Sequence, residues 1–199
     1  MTTTPPPDHA RPWVWVDTET TGLRERDGAI LEVGLVVTSA ALDIRAERSW
    51  TVRFEGHVSP TIEGMHGPSG SGLLHLFAAA QGRNVYRCDG PLPEQVEAMA
   101  VAWLAEQCGG VAPLWCGRNV AFDRRWIREH MPRLHEAFHH RSVDETALRI
   151  ALAGWAGLTV EKDATAAGNR HRALDDLHEC LRVARIFRDR MALRDPPLG

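Results

Sequence analysis

The run Trp13-Val14-Trp15-Val16 is apolar without interruption and ends abruptly on Asp17-Thr18-Glu19. A short continuous apolar run of this kind fits a β-strand covered on both faces. Side chains two apart on a strand point to the same side, so Asp17 and Glu19 leave the strand end together. Sheets with helices on both faces place their sites at such ends. Taken alone, the acidic pair is better explained by a solvated turn.

The rest of the chain supplies the partners such a strand needs. Ala29 to Thr38 reads as a second strand and Arg48 to Phe54 as a third, close enough in sequence for an antiparallel meander. Gly64 to Gly72 is a glycine-rich loop containing His66. Pro93 to Gln107 reads as a helix with Val96, Met99, Ala100, Trp103 and Leu104 on one face and Gly109-Gly110 at its end. Val111 to Cys116 is a fourth strand. Helices follow at Asn119 to Met131, stopped by Pro132, and at Glu145 to Ala153. The last runs from His171 to about Met191, with a stripe of Leu174, Leu177, Leu181, Ala184 and Phe187. Strands first, then strands alternating with helices, imply a mixed α/β sheet with helices packed on it.

At 199 residues the chain is long enough for one domain with a sizeable core. Its net charge of −3 gives no overall basic field to attract long nucleic acid. Lys162 is the only lysine, a bias that a GC-rich genome explains better than phosphate recognition. Cys88, Cys108, Cys116 and Cys180 form no CxxC pair and no disulfide-rich spacing, which fits a reducing compartment. The stretch Thr2 to Pro12 lacks the apolar core of a signal peptide, and no run reaches the length of a membrane span. These features predict a cytoplasmic protein.

Three further acidic positions have local settings of their own. Asp123 falls in the first turn of a helix, where favourable interaction with the helix dipole is the bland reading; Asn119 is available as the cap and would free Asp123 for another task. Asp175 and Asp176 open the last helix about 100° apart around its axis, so at most one of them aims straight at a shared site. Carboxylates brought together in one pocket repel each other and raise their own pKa values unless cations neutralise them. Oxygen-only ligation selects Mg²⁺ or Mn²⁺ over zinc, and two such ions about 4 Å apart suit phosphodiester hydrolysis. His171, on the approach to the last helix, has the right chemistry for a general base.

In the order DxE, NxxFD and HxxxxD, the chain resembles the DEDDh exonucleases. These belong to the ribonuclease H-like superfamily, which includes oligoribonuclease, ribonuclease T and the proofreading subunit of bacterial DNA polymerase III. The resemblance implies a ribonuclease H-like mixed five-stranded sheet, with Asp17, Glu19, Asp123 and Asp176 as ligands to two divalent cations, Mg²⁺ or Mn²⁺, and His171 as the base. It covers about residues 13 to 191, taken as one exonuclease domain between a disordered leader (1–12) and a tail (192–199). The finer likeness is to oligoribonuclease, carried by Ile30-Leu31-Glu32-Val33-Gly34, Met65-His66-Gly67-Pro68-Ser69-Gly70, Cys116-Gly117-Arg118-Asn119 and Phe122-Asp123-Arg124-Arg125-Trp126. Met131-Pro132-Arg133-Leu134, Phe138-His139 and His171-Arg172-Ala173-Leu174-Asp175-Asp176 continue it.

That likeness implies a substrate of very short single-stranded RNA, with Leu23 wedged against its bases and His66 and Asn119 in contact with it. It also implies a 5′-phosphate cap of Thr146 and Arg149, completed by His140 and Arg141 from a second copy of the chain, and hence a homodimer. The chain departs from the family at His140, where a tyrosine is usual, at Thr146 and Arg149, where serine and lysine are, and at Thr61, where a tryptophan is. Its Asp-Thr-Glu-Thr-Thr-Gly-Leu opening is nearer to the proofreading enzymes. An exonuclease trimming longer single strands of RNA or DNA is the alternative in the same chemical class, and a non-catalytic nucleic-acid-binding domain is the remote one.

Overall fold

The computed structural model describes residues 7, 10–66, 73–79, 84–160 and 172–192. His171 and the side chain of His66 lie outside the described residues. Strands β1 (Trp13–Thr20), β2 (Ile30–Thr38) and β3 (Ile44–Thr51) form the expected antiparallel meander. The short strands β4 (Phe54–His57), β5 (Ala78–Ala79) and β6 (Val85–Cys88) build a separate antiparallel sheet in the order β4-β6-β5. Strands β7 (Leu114–Gly117) and β8 (Ser142–Asp144) then add to the free side of β1, both parallel to it. The main sheet is thus five-stranded and mixed, in the order β3-β2-β1-β7-β8.

Helix α1 (Pro60–His66) packs with the small sheet through Val58, Ile62, Phe77 and Tyr86. Helices α2 (Pro93–Gln107), α3 (Val120–His130) and α4 (Pro132–Glu136) cover one face of the main sheet, and α6 (Ala173–Ala192) covers the other, with α5 (Glu145–Ala156) beside it. The alternation along β1 sorts its side chains between these layers. Val14 and Val16 pack with Val96, Ala100, Leu104, Trp126 and Ile127 on the α2–α4 side. Trp15 packs with Leu177, Cys180 and Leu181 on the α6 side. This parity decides which helix each functional side chain of β1 meets.

Several local expectations are corrected. The third strand stops at Thr51: Val52 N still bonds Leu31 O of β2 (2.9 Å), but Arg53 N leaves the ladder for Pro91 O (2.7 Å), and Phe54 opens β4 in the other sheet. Residues 64–66, expected in a loop, close α1. Met99 is exposed, although its neighbours Val96, Ala100 and Leu104 are buried. The end of α2 is as expected, with Gly109 and Gly110 at φ 59° and 74°, a region that favours glycine. Arg185 donates to Leu42 O at 2.7 and 3.1 Å and Arg188 to Ala41 O, tying α6 to the β2–β3 turn. Among the described residues, no helix is long and apolar enough to cross a membrane.

Candidate active site

Asp17 and Glu19 share parity with Trp15 and therefore face α6. Across the ladder they stand opposite Gly34 and Glu32 of β2. A Cβ on Gly34 would lie 2.7 Å from the Ala173 Cβ, so glycine is what lets the first turn of α6 rest on the strand. Glu32 secures that turn. Fully buried, it accepts Arg172 through two bonds (Nε–Oε2 3.0 Å, Nη2–Oε1 2.7 Å) and also accepts from Ala173 N at 3.1 Å. One turn further on, Asp176 meets the strand carboxylates. One ligand oxygen each from Asp17, Glu19 and Asp176 lies within 4.8 Å of the others. Asp175 is exposed, as the angular separation of the two aspartates requires.

Asp123 arrives from the opposite layer. Thr18 shares parity with Val14 and Val16, faces α3, and holds Asp123 Oδ1 from both its backbone N (2.9 Å) and its Oγ1 (2.7 Å). The buried Asp123 lines one cleft of about 200 Å³ with Asp17, Thr18, Glu19, Thr20, Asn119 and Asp176, but sits beside the three-oxygen group rather than within it. Asn119 does not cap α3 with its side chain, contrary to expectation. It adopts the left-handed conformation (φ 53°), and the cap comes from Asp144, which accepts Asn119 N at 3.2 Å and Val120 N at 3.0 Å. The same carboxylate caps α5 through Thr146 N at 2.9 Å and Ala147 N at 3.3 Å. One residue at the end of β8 thereby fixes the starts of two helices that flank the site.

The electrostatics follow from this crowding. Burial, then the charges of Asp123, Glu19, Asp176 and Glu32, raises the Asp17 carboxyl well above its ordinary value. Burial also pushes Glu19 up to about 8, helped by Asp176, Glu32 and Asp123 and opposed by Arg172. Asp123 is pushed up to about 7 by burial, against the lowering effect of its Thr18 bonds. Without cations, the site answers its own repulsion by holding protons. An all-oxygen donor set of this kind suits hard divalent cations, which can take the place of those protons.

The remaining expected residues divide. Leu23 lines the cleft with its side chain 62% exposed, and Asn119 is exposed on its wall. Thr146, Arg149, His140 and Arg141 do not line that cleft. Arg149 Nε lies 3.7 Å from Glu145 Oε1, while His140 and Arg141 are exposed just ahead of β8. Sequence reasoning missed the supporting roles of Thr18, Glu32 and Asp144. The hydroxyl between two carboxylates was a visible signal for Thr18, and Asp-Glu-Thr ahead of an apolar run was one for the Asp144 cap.

No family model matches the chain. Among curated proteins it is 30% identical to the oligoribonuclease of Pseudomonas paraeruginosa over 183 residues, covering 88% of this chain and 93% of that protein. It is 32% identical to that of Corynebacterium diphtheriae over 193 residues (92% and 84%) and 33% identical to that of Corynebacterium efficiens over 190 (92% and 80%). Among solved structures it is similar to the zinc-bound E. coli exonuclease I complex with single-stranded DNA, with a TM-score of 0.65 at 13% identity. That match covers 90% of this chain but only 41% of the exonuclease I chain. A moderately thermophilic exonuclease I from Methylocaldum szegediense gives a TM-score of 0.63 at 19% identity, again over 90% and 41%. At these identities the structural likeness speaks for the fold. The likeness in sequence spans most of both chains, and the chain belongs to the oligoribonuclease family of 3′→5′ exoribonucleases.

Proposed function

We propose that the chain degrades very short RNA from its 3′ end to nucleoside 5′-monophosphates, using two divalent cations of the Mg²⁺ or Mn²⁺ kind held by Asp17, Glu19, Asp123 and Asp176. The observation that carries this reading is the approach of Asp17, Glu19 and Asp176 to within 4.8 Å, with Asp123 on the same cleft. When bound, the cations supply positive charge that polarises the phosphoryl group and acidifies water. The protein's own part is to orient and to move protons. His171 immediately precedes Arg172, the residue clamped by Glu32, and takes the proton of the attacking water. Leu23, exposed at the rim, offers an apolar surface for a base to rest on.

Exposed His140 and Arg141 lie off the cleft of their own subunit, which suits donation to a second copy. With Thr146 and Arg149 they would hold a 5′-terminal phosphate and restrict the substrate to about two nucleotides, with His66, the last residue of α1, touching it. The alternative, trimming of longer single strands of RNA or DNA, is favoured by the Asp-Thr-Glu-Thr-Thr-Gly-Leu opening. Turnover of 5′-phosphorylated RNA of two, three, five and ten nucleotides, with matching DNA, separates the two. Activity concentrated on the dinucleotide supports the short-RNA reading. Activity flat or rising with length contradicts it and removes the cap.

A further inference from the structure

A phosphodiester entering this cleft meets four carboxylates, and among the described residues lining it Arg118 is the single cation. It stands just past β7 and also borders the adjoining hollow of about 190 Å³, with Asp17, Asn119, Asp176, Leu177 and Cys180. Its side chain is 26% exposed, and its Nε donates to Glu145 Oε2 at 3.0 Å. A guanidinium carries five N–H donors in a rigid fork. With the Nε edge bound, the Nη groups have no protein acceptor among the described residues.

Charge balance argues that this arginine does more than neutralise Glu145. The buried carboxylate has a second cation, Arg149, whose Nε lies 3.7 Å from Oε1. Glu145 therefore does not depend on Arg118 alone for its counter-charge, which leaves the Arg118 guanidinium able to take an anionic ligand as well. The acidic end of that cleft is reserved for cations, so a phosphate oxygen needs a donor elsewhere on the wall.

We propose that Arg118 is a substrate-binding residue whose Nη edge holds a phosphate oxygen of the RNA, with Glu145 as the positioning residue that aims it. The proposal rests on the exonuclease reading above. The phosphate is either the scissile diester or the 5′-terminal group, and the substrate distinguishes them. Arg118→Gln is assayed for kcat and KM on a dinucleotide with and without a 5′-phosphate. KM should rise about tenfold or more, the range for a lost charge-assisted bond. An equal rise on both substrates assigns the scissile diester, and a rise confined to the phosphorylated one assigns the terminal phosphate. KM within twofold of wild type on both would overturn the proposal.

Removing Arg118 alone leaves Glu145 with one cation fewer, so the double variant Arg118→Gln, Glu145→Gln guards against misfolding. A raised KM that persists in the double variant supports substrate contact. A return to the wild-type KM shows that Arg118 served only to balance Glu145, and the proposal falls. Wild-type enzyme that turns over neither dinucleotide would overturn the short-RNA reading and this proposal with it, whereas active wild type with an unaltered variant overturns Arg118 alone.

Discussion

Thr18, the residue that separates Asp17 from Glu19 on β1, holds Asp123 Oδ1 with both its backbone N–H and its hydroxyl, at 2.9 and 2.7 Å. The strand that presents two carboxylates on its α6 side thus fixes a third from its α3 side. Thr18→Val keeps the shape and the backbone bond but loses the hydroxyl. Supporting bonds of this kind are worth about 10 to 100-fold in metal affinity or activity. We expect kcat/KM to fall about tenfold and Mn²⁺ binding, followed by calorimetry, to weaken in parallel, with Thr18→Ser close to wild type. Full activity in Thr18→Val would show that Asp123 needs no such support.

Glu32 does for α6 what Thr18 does for Asp123. Glu32→Ala removes the acceptor of Arg172 and Ala173 N and strands a partly buried guanidinium, at a cost of about 2–4 kcal/mol in unfolding free energy, read as a lower urea midpoint. Glu32→Gln keeps an acceptor and should lose less. Turnover should fall with the loosening of the turn that delivers Asp176, even at temperatures where the variant remains folded. An unchanged midpoint for Glu32→Ala would contradict the anchoring role.

The proton-holding site gives the metal-free protein a distinctive pH profile. Glu19 and Asp123 sit near 8 and 7 in the fold, against ordinary values of 4.5 and 3.8, so between those limits the folded chain binds more protons than the unfolded one. Their contribution to stability is full below the ordinary values and is lost as pH rises toward 7 and 8. The metal-free Tm should therefore fall between pH 5 and pH 8, by on the order of 5 °C for a chain of this size. Saturating Mg²⁺ should remove most of the fall, and Glu19→Gln should flatten it without metal. A metal-free Tm that rises over this interval would contradict the assigned electrostatics.

How much of this was legible in the sequence depended on how local each feature is. The common direction of Asp17 and Glu19 follows from the two-residue period of a strand, and the choice between Asp175 and Asp176 from the angle between neighbours on a helix. The bond from Thr18 to Asp123 spans 105 positions and exists only because α3 docks on the even-numbered side of β1. Asp144 carried a local signal for capping α5, but its second task, capping α3, needs β8 beside β7. That three-residue strand is too short to show a period of its own. The third strand was misplaced because its end is set where Arg53 N turns to Pro91 O, a partner that local pattern does not reveal.

The central claim is that the carboxylates at the end of β1 and at the start of α6 work by holding divalent cations. It is tested most directly by turnover of a 5′-phosphorylated RNA dinucleotide by metal-free enzyme titrated with Mg²⁺ or Mn²⁺, beside Asp17→Asn and Asp176→Asn. The account predicts no turnover without metal, recovery on titration, and loss of at least about 10³-fold in each variant with the fold retained. Turnover that survives chelation, or variants that keep wild-type rates at saturating metal, would contradict it.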